Sequence, residues 1–101
     1  MLRVETKDFN KEVSEGIVLV DFSANWCGPC KMLSPILEDF DSKNDDLKVI
    51  KVDVDEQPDL AAMFNVMSIP TLVLFKNGKM VGSKLGFMTE DMLNEWIKEA
   101  N

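Results

Sequence analysis

Apolar residues recur along the chain with two different periods, and the two periods alternate. Short runs typical of strands are separated by segments with apolar residues at helical spacing, without an internal repeat or a low-complexity linker. The pattern predicts an α/β fold in one domain over residues 1–101, with five strands and four helices. The predicted strands are residues 2–5, 17–22, 47–54, 72–75 and 80–81, and the predicted helices are 6–15, 31–43, 58–64 and a last one that begins after 89.

Two segments indicate how the strands pair. Residues 17–22 are apolar on both faces and rich in β-branched side chains, which is typical of a central strand covered by helices on both sides. Asn77-Gly78 separates the last two strands, and this dipeptide is the strongest short-range signal for a two-residue hairpin turn. Those two strands are therefore predicted to be antiparallel, within a mixed sheet that has helices on both faces.

Helix ends and helix faces are predicted from single residues. Thr6 and Thr89 are predicted N-caps of the first and last helices. Pro35 lies inside the second helix, which is expected to begin near Cys27, and it predicts a kink because proline removes a backbone hydrogen bond. The apolar stripes of these helices are predicted to be buried; they consist of Met32, Leu33, Ile36, Leu37 and Phe40 in the second helix, and Met92, Leu93, Trp96 and Ile97 in the last.

Charge and hydropathy exclude several classes of protein. Lys and Arg number 11 against 18 Asp and Glu, and the net charge of −7 has the wrong sign for holding a phosphate backbone. The longest strongly apolar run, residues 17–20, is far shorter than the roughly 20 residues that cross a bilayer. The first residues contain no apolar stretch of the kind found in signal peptides. We therefore expect a cytoplasmic monomer without a nucleic-acid or membrane partner.

Two cysteines, Cys27 and Cys30, are the strongest chemical signal in the chain. They cannot staple the fold, because the loop that they close is too short to remove much entropy from the unfolded chain. A predicted strand ends just before Cys27 and a helix begins within the motif, so free backbone N–H groups would stabilise a thiolate on Cys27. Cys30 lies one helical turn further on, where Cα separations of about 5–6 Å suit a disulfide. We predict that Cys27 is the nucleophile and Cys30 the resolving thiol.

Two other interpretations of the cysteines stay open at this point. The pair is either buried and inert, or it contributes to a metal site. Zinc usually takes four Cys or His ligands, and the chain has two Cys and no His, so such a site needs a second subunit. We expect no metal and no bound cofactor. Because the chain lacks a nucleotide-binding glycine motif, electrons for the pair would come from a separate reductase protein.

The motifs together resemble the thioredoxin family. The matching segments, in order, are Val20-Asp21-Phe22, Trp26-Cys27-Gly28-Pro29-Cys30-Lys31-Met32, Pro35, Ile69-Pro70-Thr71, Phe75-Lys76-Asn77-Gly78 and Gly86. The resemblance covers essentially the whole chain and implies the thioredoxin fold, a central mixed five-stranded sheet flanked by four helices.

The resemblance also implies a function, that of a general protein-disulfide reductase. A thioredoxin reductase would supply it with electrons from NADPH or ferredoxin. The Gly-Pro pair between the cysteines favours a reductant, since relatives that oxidise or isomerise disulfides usually place His there. A disulfide oxidase or isomerase is the first alternative. A binding subunit of a larger assembly, with incidental redox activity, is the second.

Asp21 is the most unusual polar residue outside the cysteine motif. It shares a strand face with Ile17 and Leu19, and burial of an unpaired carboxylate raises its pKa. The resemblance implies that Asp21 transfers a proton to and from Cys30, and that Lys51 tunes this acid. The alternatives are that Asp21 reaches solvent at the strand end and that Lys51 is an ordinary surface residue.

A substrate-binding surface around the cysteines is implied by the resemblance. It places a cis proline at Pro70 opposite the cysteines, with the backbone of Ile69 offered to an incoming substrate strand. The other expected substrate-binding residues are small or apolar, and they are Trp26, Gly28, Pro29, Met67 and Gly86. A trans turn proline at Pro70 and burial of Met67 in the core are the alternatives.

Overall fold

The computed structural model describes residues 1–100, and in that part of the chain five strands alternate with four helices. The strands are β1 (Leu2–Arg3), β2 (Ile17–Ser23), β3 (Leu47–Asp53), β4 (Thr71–Lys76) and β5 (Lys79–Leu85). The helices are α1 (Thr6–Glu12), α2 (Gly28–Lys43), α3 (Pro58–Met63) and α4 (Glu90–Ala100). The α/β class and the predicted number of elements are confirmed.

The strands form a mixed sheet in the order β1-β3-β2-β4-β5. β2 pairs in parallel with β3 and antiparallel with β4, so it is the central strand that its apolar faces predicted. β4 and β5 form the predicted hairpin, and both turn residues have positive φ, 50° at Asn77 and 84° at Gly78. A type I′ turn requires this conformation, which explains the Asn-Gly signal.

Side chains of β2 alternate between two buried layers. Val18, Val20 and Phe22 pack with residues of α1 and α3 on one face of the sheet. Leu19 packs with residues of α2 and α4 on the other. Each fully buried aliphatic or aromatic side chain stabilises the fold by about 1.5–3 kcal/mol. Strand alternation places Asp21 on the Leu19 face, beneath α2.

The helix starts were predicted with mixed success. Thr89 caps α4 as expected, since its Oγ1 accepts a hydrogen bond from the Met92 backbone N–H at 3.2 Å. The prediction for Thr6 was wrong: Thr6 is the first residue of α1, and its hydroxyl donates to Gln57 Oε1 at 2.8 Å. This contact with a residue distant in sequence takes the hydroxyl away from the helix end. α1 also ends earlier than predicted, at Glu12.

Two methionines predicted to be buried are exposed. Met32 in α2 is 65% exposed and Met92 in α4 is 50% exposed, whereas Leu33 and Leu93 beside them are fully buried. The apolar stripe of each helix is therefore narrower than its apolar composition suggested. α2 begins at Gly28, with Pro29 in its first turn, and it continues through Pro35 to Lys43.

Candidate active site

The two cysteines lie where β2 leads into α2. β2 ends at Ser23, and the Cys27 backbone N–H donates to the Ala24 carbonyl at 3.2 Å, which closes the connecting turn. Cys27 is the N-cap of α2, as its predicted place at a helix start required. Cys27 and Cys30 form a disulfide with their Cα atoms 5.2 Å apart. The two sulfurs are therefore placed to interconvert between dithiol and disulfide.

The start of α2 is built to hold negative charge on Cys27. The Cys30 backbone N–H donates to Cys27 Sγ at 3.2 Å, and the positive end of the helix dipole points at the same atom. Donors and dipoles of this kind are those that stabilise negative charge on a sulfur at a helix N-terminus. Cys27 and Cys30 are almost equally buried, at 5% and 4% exposure, so accessibility does not distinguish them. They differ in hydrogen bonding, because Cys27 Sγ accepts the Cys30 backbone N–H.

An open groove lies beside Cys27. Its lining residues are small or mostly apolar, and they are Trp26, Cys27, Gly28, Pro29, Val54, Val66, Met67, Ser68 and Ile69. Trp26 is 69% exposed and Met67 is 91% exposed, so the alternative that Met67 lies in the core is wrong. Cys27 Sγ lies 3.9 Å from the carbonyl oxygen of Ile69. The structure thus brings five of the predicted substrate-binding residues to one groove.

The remaining two predicted residues, Pro70 and Gly86, lie next to the groove and bind each other through their backbones. The Ile69–Pro70 peptide bond is cis, as expected, and Pro70 is buried. The Gly86 backbone N–H donates to the Pro70 carbonyl at 2.8 Å. Gly86 has φ of +88°, a conformation that side chains with a Cβ disfavour. Neither Pro70 nor Gly86 lines the groove itself; they join the segment that carries Ile69 to the end of β5.

The segment that follows β3 supplies residues that the sequence did not reveal. Asp55 Oδ2 accepts a hydrogen bond from Trp26 Nε1 at 2.7 Å. The Val54 N–H donates to the Ser23 carbonyl at 2.9 Å, which ties this segment to the end of β2. The parallel pairing of β2 and β3 could have indicated these residues, because the carboxyl ends of parallel strands meet at one edge of a sheet. Val66 and Ser68 carried no such signal.

Asp21 is buried without a full set of partners. Its side chain is 1% exposed, and in the described part of the chain its Oδ1 and the Ser23 Oγ are buried without a hydrogen bond. Burial raises the pKa of Asp21 to about 6, against the opposing effects of the Lys51 ammonium and, second, the Ser23 hydroxyl. Since Ser23 Oγ makes no hydrogen bond of good geometry, we attribute most of the opposing effect to Lys51. The alternative that Asp21 reaches solvent is wrong.

Lys51 is a neighbour of Asp21 in the sheet and also lines a groove that reaches Cys30. It is the β3 residue in register with Asp21 on β2, and it is partly buried. It also lines a second groove, on the Cys30 side, whose lining residues are Ala24, Asn25, Cys30, Lys31, Ser34, Pro35, Glu38 and Lys51. Solvent therefore approaches Cys30 from the side on which Lys51 lies.

Among residues 1–100, no three His, Cys, Asp or Glu side chains cluster in a way that could hold a metal ion. None of the helices in that range has the length and apolar character that crossing a membrane requires.

A dithiol at the N-terminus of a helix, next to a cis X-Pro bond at the end of a mixed sheet, defines a dithiol–disulfide oxidoreductase of the thioredoxin fold. The Thioredoxin family model matches residues 1–99. Thioredoxin from Bacillus subtilis (strain 168) is 44% identical over 100 residues, covering 98% of this chain and 96% of that protein. Thioredoxin from Staphylococcus epidermidis is 46% identical over 99 residues, covering 94% of this chain and 92% of that protein. The chain belongs to the thioredoxin family.

The predicted resemblance and the function that it implied are thereby confirmed. The protein is a thiol–disulfide reductase, and its Cys27–Cys30 pair is at disulfide distance.

Proposed function

We propose that Cys27 is the attacking thiolate and Cys30 the resolving thiol of a general protein-disulfide reductase. The observation that carries this division of roles is the hydrogen bond from the Cys30 N–H to Cys27 Sγ, at 3.2 Å. It stabilises charge on Cys27 at the helix N-terminus, whereas Cys30 lies inside the first turn. The proposed unit is a single domain over residues 1–101, acting as a cytoplasmic monomer.

The reaction consists of two thiol–disulfide exchanges. Cys27 thiolate attacks one sulfur of the substrate disulfide, and the other substrate sulfur leaves as a thiolate. Cys30 then loses its proton and attacks Cys27 Sγ. This step forms the Cys27–Cys30 disulfide and releases the second substrate thiolate. Two electrons pass from the dithiol to the substrate, and the substrate thiolates take up protons.

The groove beside Cys27 is the proposed docking site for the substrate. An extended segment would lie against Trp26, Met67 and Ile69, with Gly28 and Pro29 leaving room above the sulfur. The Ile69 carbonyl, 3.9 Å from Cys27 Sγ, would accept a backbone hydrogen bond from the substrate strand. Pro70 and Gly86 would hold Ile69 in place. Main-chain bonding of this kind suits a reductase with varied substrates, because it depends little on substrate side chains.

Asp21 is the proposed proton acceptor for Cys30 in the second exchange. A carboxyl with its pKa raised to about 6 is mainly ionised at neutral pH and still basic enough to take up a proton. Lys51 would keep this group ionised, since its ammonium favours the carboxylate.

The oxidised pair needs two electrons to return to the dithiol. We propose that a separate reductase protein of the thioredoxin reductase class supplies them through the same groove. The chain itself would bind no cofactor. The reducing cytoplasm is the compartment in which such a dithiol is kept reduced.

The function is tested by the reduction of insulin disulfides with dithiothreitol. The protein is expected to accelerate this reaction, and Cys27→Ser is expected to lose the acceleration. An unaccelerated reaction with the wild-type protein would contradict the reductase proposal.

The order of the two cysteines is tested by trapping. Cys30→Ser should accumulate mixed disulfides through Cys27, which mass spectrometry of tryptic peptides would locate. Cys27→Ser is the matched control and should accumulate few. The opposite distribution would reverse the assigned roles.

The role of Asp21 is tested by stopped-flow kinetics of Asp21→Asn. We expect release of the mixed disulfide to slow by at least about tenfold near neutral pH, with the first attack less affected. Equal release rates in variant and wild type would remove Asp21 from the mechanism.

A further inference from the structure

A second buried aspartate, Asp53, lies at the end of β3 and takes no part in the proton transfer described above. It is 3% exposed. Its Oδ1 accepts hydrogen bonds from the backbone N–H groups of Asp55, at 2.9 Å, and Glu56, at 3.2 Å. Its Oδ2 accepts from Arg3 Nη2 at 3.1 Å. Burial of a carboxylate is tolerated when several donors and a cation meet it, and all of them are present here.

These contacts fix the segment that holds Trp26. The two N–H groups bound by Asp53 belong to the first turn after Val54, and Asp55 in this turn accepts the Trp26 indole N–H at 2.7 Å. Trp26 directly precedes Cys27 and lines the groove beside it. A side chain that is 69% exposed has few packing contacts to restrain it, so this hydrogen bond sets the position of its ring.

We propose that Asp53 is a positioning residue for disulfide reduction. By binding the Asp55 and Glu56 N–H groups, it holds the Asp55 carboxylate where that group fixes the Trp26 indole against the substrate groove. Arg3 offsets the charge of Asp53 from the neighbouring edge strand. The inference rests on the proposed use of this groove for substrate docking, and it adds a residue that acts through Asp55 and Trp26 without touching the substrate.

A double-mutant cycle tests whether Asp53 acts through Trp26. Asp53→Ala is expected to lower kcat/KM for insulin reduction about 3- to 10-fold, the effect of one weakened hydrogen-bonded arrangement. Trp26→Phe keeps an aromatic ring without the N–H. In that background Asp53→Ala should lower kcat/KM by less than about twofold. Fully additive losses in the double variant would overturn the proposal.

The Trp26 indole supplies a readout that a merely structural role would not move. In ¹⁵N-labelled protein its N–H resonance, assigned with Trp26→Phe, should be protected from exchange in the wild type and lose this protection in Asp53→Ala. Asp53→Asn retains an acceptor oxygen, so this variant should keep most of the exchange protection of the Trp26 indole N–H and most of kcat/KM. An indole resonance unchanged in Asp53→Ala would contradict the proposal.

One measurement remains decisive if Asp53→Ala does not fold. In the wild-type protein the Asp55 and Glu56 amides should exchange with D₂O at least about 10-fold more slowly than free peptide amides, because both are bound in the native loop. Exchange at the rates of free peptide amides would overturn the proposal without any variant.

Asp41→Ala is the matched control. Asp41 also binds a backbone N–H, that of Val49 at 3.0 Å, and a cation, the N-terminal ammonium at 3.3 Å. It lies on α2, away from the groove, so its removal should leave kcat/KM and the Trp26 resonance unchanged. The failure of the reductase proposal is distinguishable, because then the wild-type protein itself would not accelerate insulin reduction.

Discussion

Asp21 and Asp53 are both buried aspartates on neighbouring parallel strands, yet their surroundings differ. Asp21 is 1% exposed and its Oδ1 has no hydrogen-bond partner. Asp53 is 3% exposed and accepts three hydrogen bonds, two from backbone N–H groups and one from the Arg3 guanidinium. Burial alone therefore does not determine the free-energy cost of a buried carboxylate. The cost depends also on how many hydrogen-bond donors reach the carboxylate oxygens.

The difference corresponds to two kinds of work. A group that exchanges protons must have two protonation states of similar free energy, which an unsatisfied buried carboxyl provides. A group that fixes a loop needs several firm hydrogen bonds, and Asp53 has them. The two neighbouring strands thus carry an acid with a raised pKa on the α2 face of the sheet, Asp21, and a fully hydrogen-bonded acid at the end of β3, Asp53.

The largest expected effect is on the pH dependence of stability, through Asp21. Its pKa rises from 3.8 to about 6 on folding, so the folded state binds the proton more tightly than the unfolded state. The resulting stabilisation is complete below pH 4 and is lost as the pH rises through 6. The difference is about 3 kcal/mol. Between pH 3 and pH 8 the wild type should lose about 3 kcal/mol of unfolding free energy that Asp21→Asn does not lose.

Urea unfolding at a series of pH values measures this difference. Comparison of the two pH profiles cancels any constant cost of placing an amide at residue 21. Ser23→Ala is a suitable control, because it removes the neighbouring hydroxyl without removing the titrating group. Parallel profiles for wild type and Asp21→Asn would show that folding does not raise the pKa of Asp21, and they would contradict the prediction.

The second expected effect is the loss of stability in Asp53→Ala. Two backbone N–H groups and the Arg3 guanidinium lose their acceptor, and we expect the free energy of unfolding at pH 7 to fall by about 2 kcal/mol. Urea unfolding of the oxidised protein measures this change. A variant as stable as wild type would mean that water replaces the carboxylate without cost, so that Asp53 would not differ from a surface residue.

The special surroundings of Asp21 could be predicted from the sequence, and those of Asp53 could not. Asp21 interrupts a run of apolar residues, so its burial and raised pKa followed from its neighbours alone. Asp53 lies in a strand of alternating polar and apolar residues, where a polar residue attracts no notice. Its partners are Arg3, 50 residues away in the chain, and backbone groups of a turn. Strand order and loop conformation determine such contacts, and neither is visible in local periodicity.

The same division holds for the fold and the groove. The hairpin at Asn77-Gly78 and the central place of β2 depend on local signals, and both were predicted. Trp26 and Met67 were expected in the groove from their motifs, whereas Val54 and Val66 reach it only through the folding of distant segments. The exposed Met32 and Met92 show the converse error, since an apolar side chain at a stripe edge has no local mark of exposure.

The smallest expected effect separates charge from hydrogen bonding at Asp53. Arg3 is 48% exposed, so its ion pair with Asp53 is screened by solvent, and Arg3→Met should cost less than about 1 kcal/mol. The loss should shrink further in about 1 M NaCl, where the screening length is near 3 Å. Urea unfolding at low and high salt measures both values. Lys48→Met is the control, since it removes a different ion pair, that of Lys48 with Glu12.

If Arg3→Met cost as much as Asp53→Ala, neutralisation by Arg3 would account for the tolerance of the buried carboxylate. A small, salt-sensitive loss would leave the two backbone N–H groups as the feature that distinguishes Asp53 from Asp21.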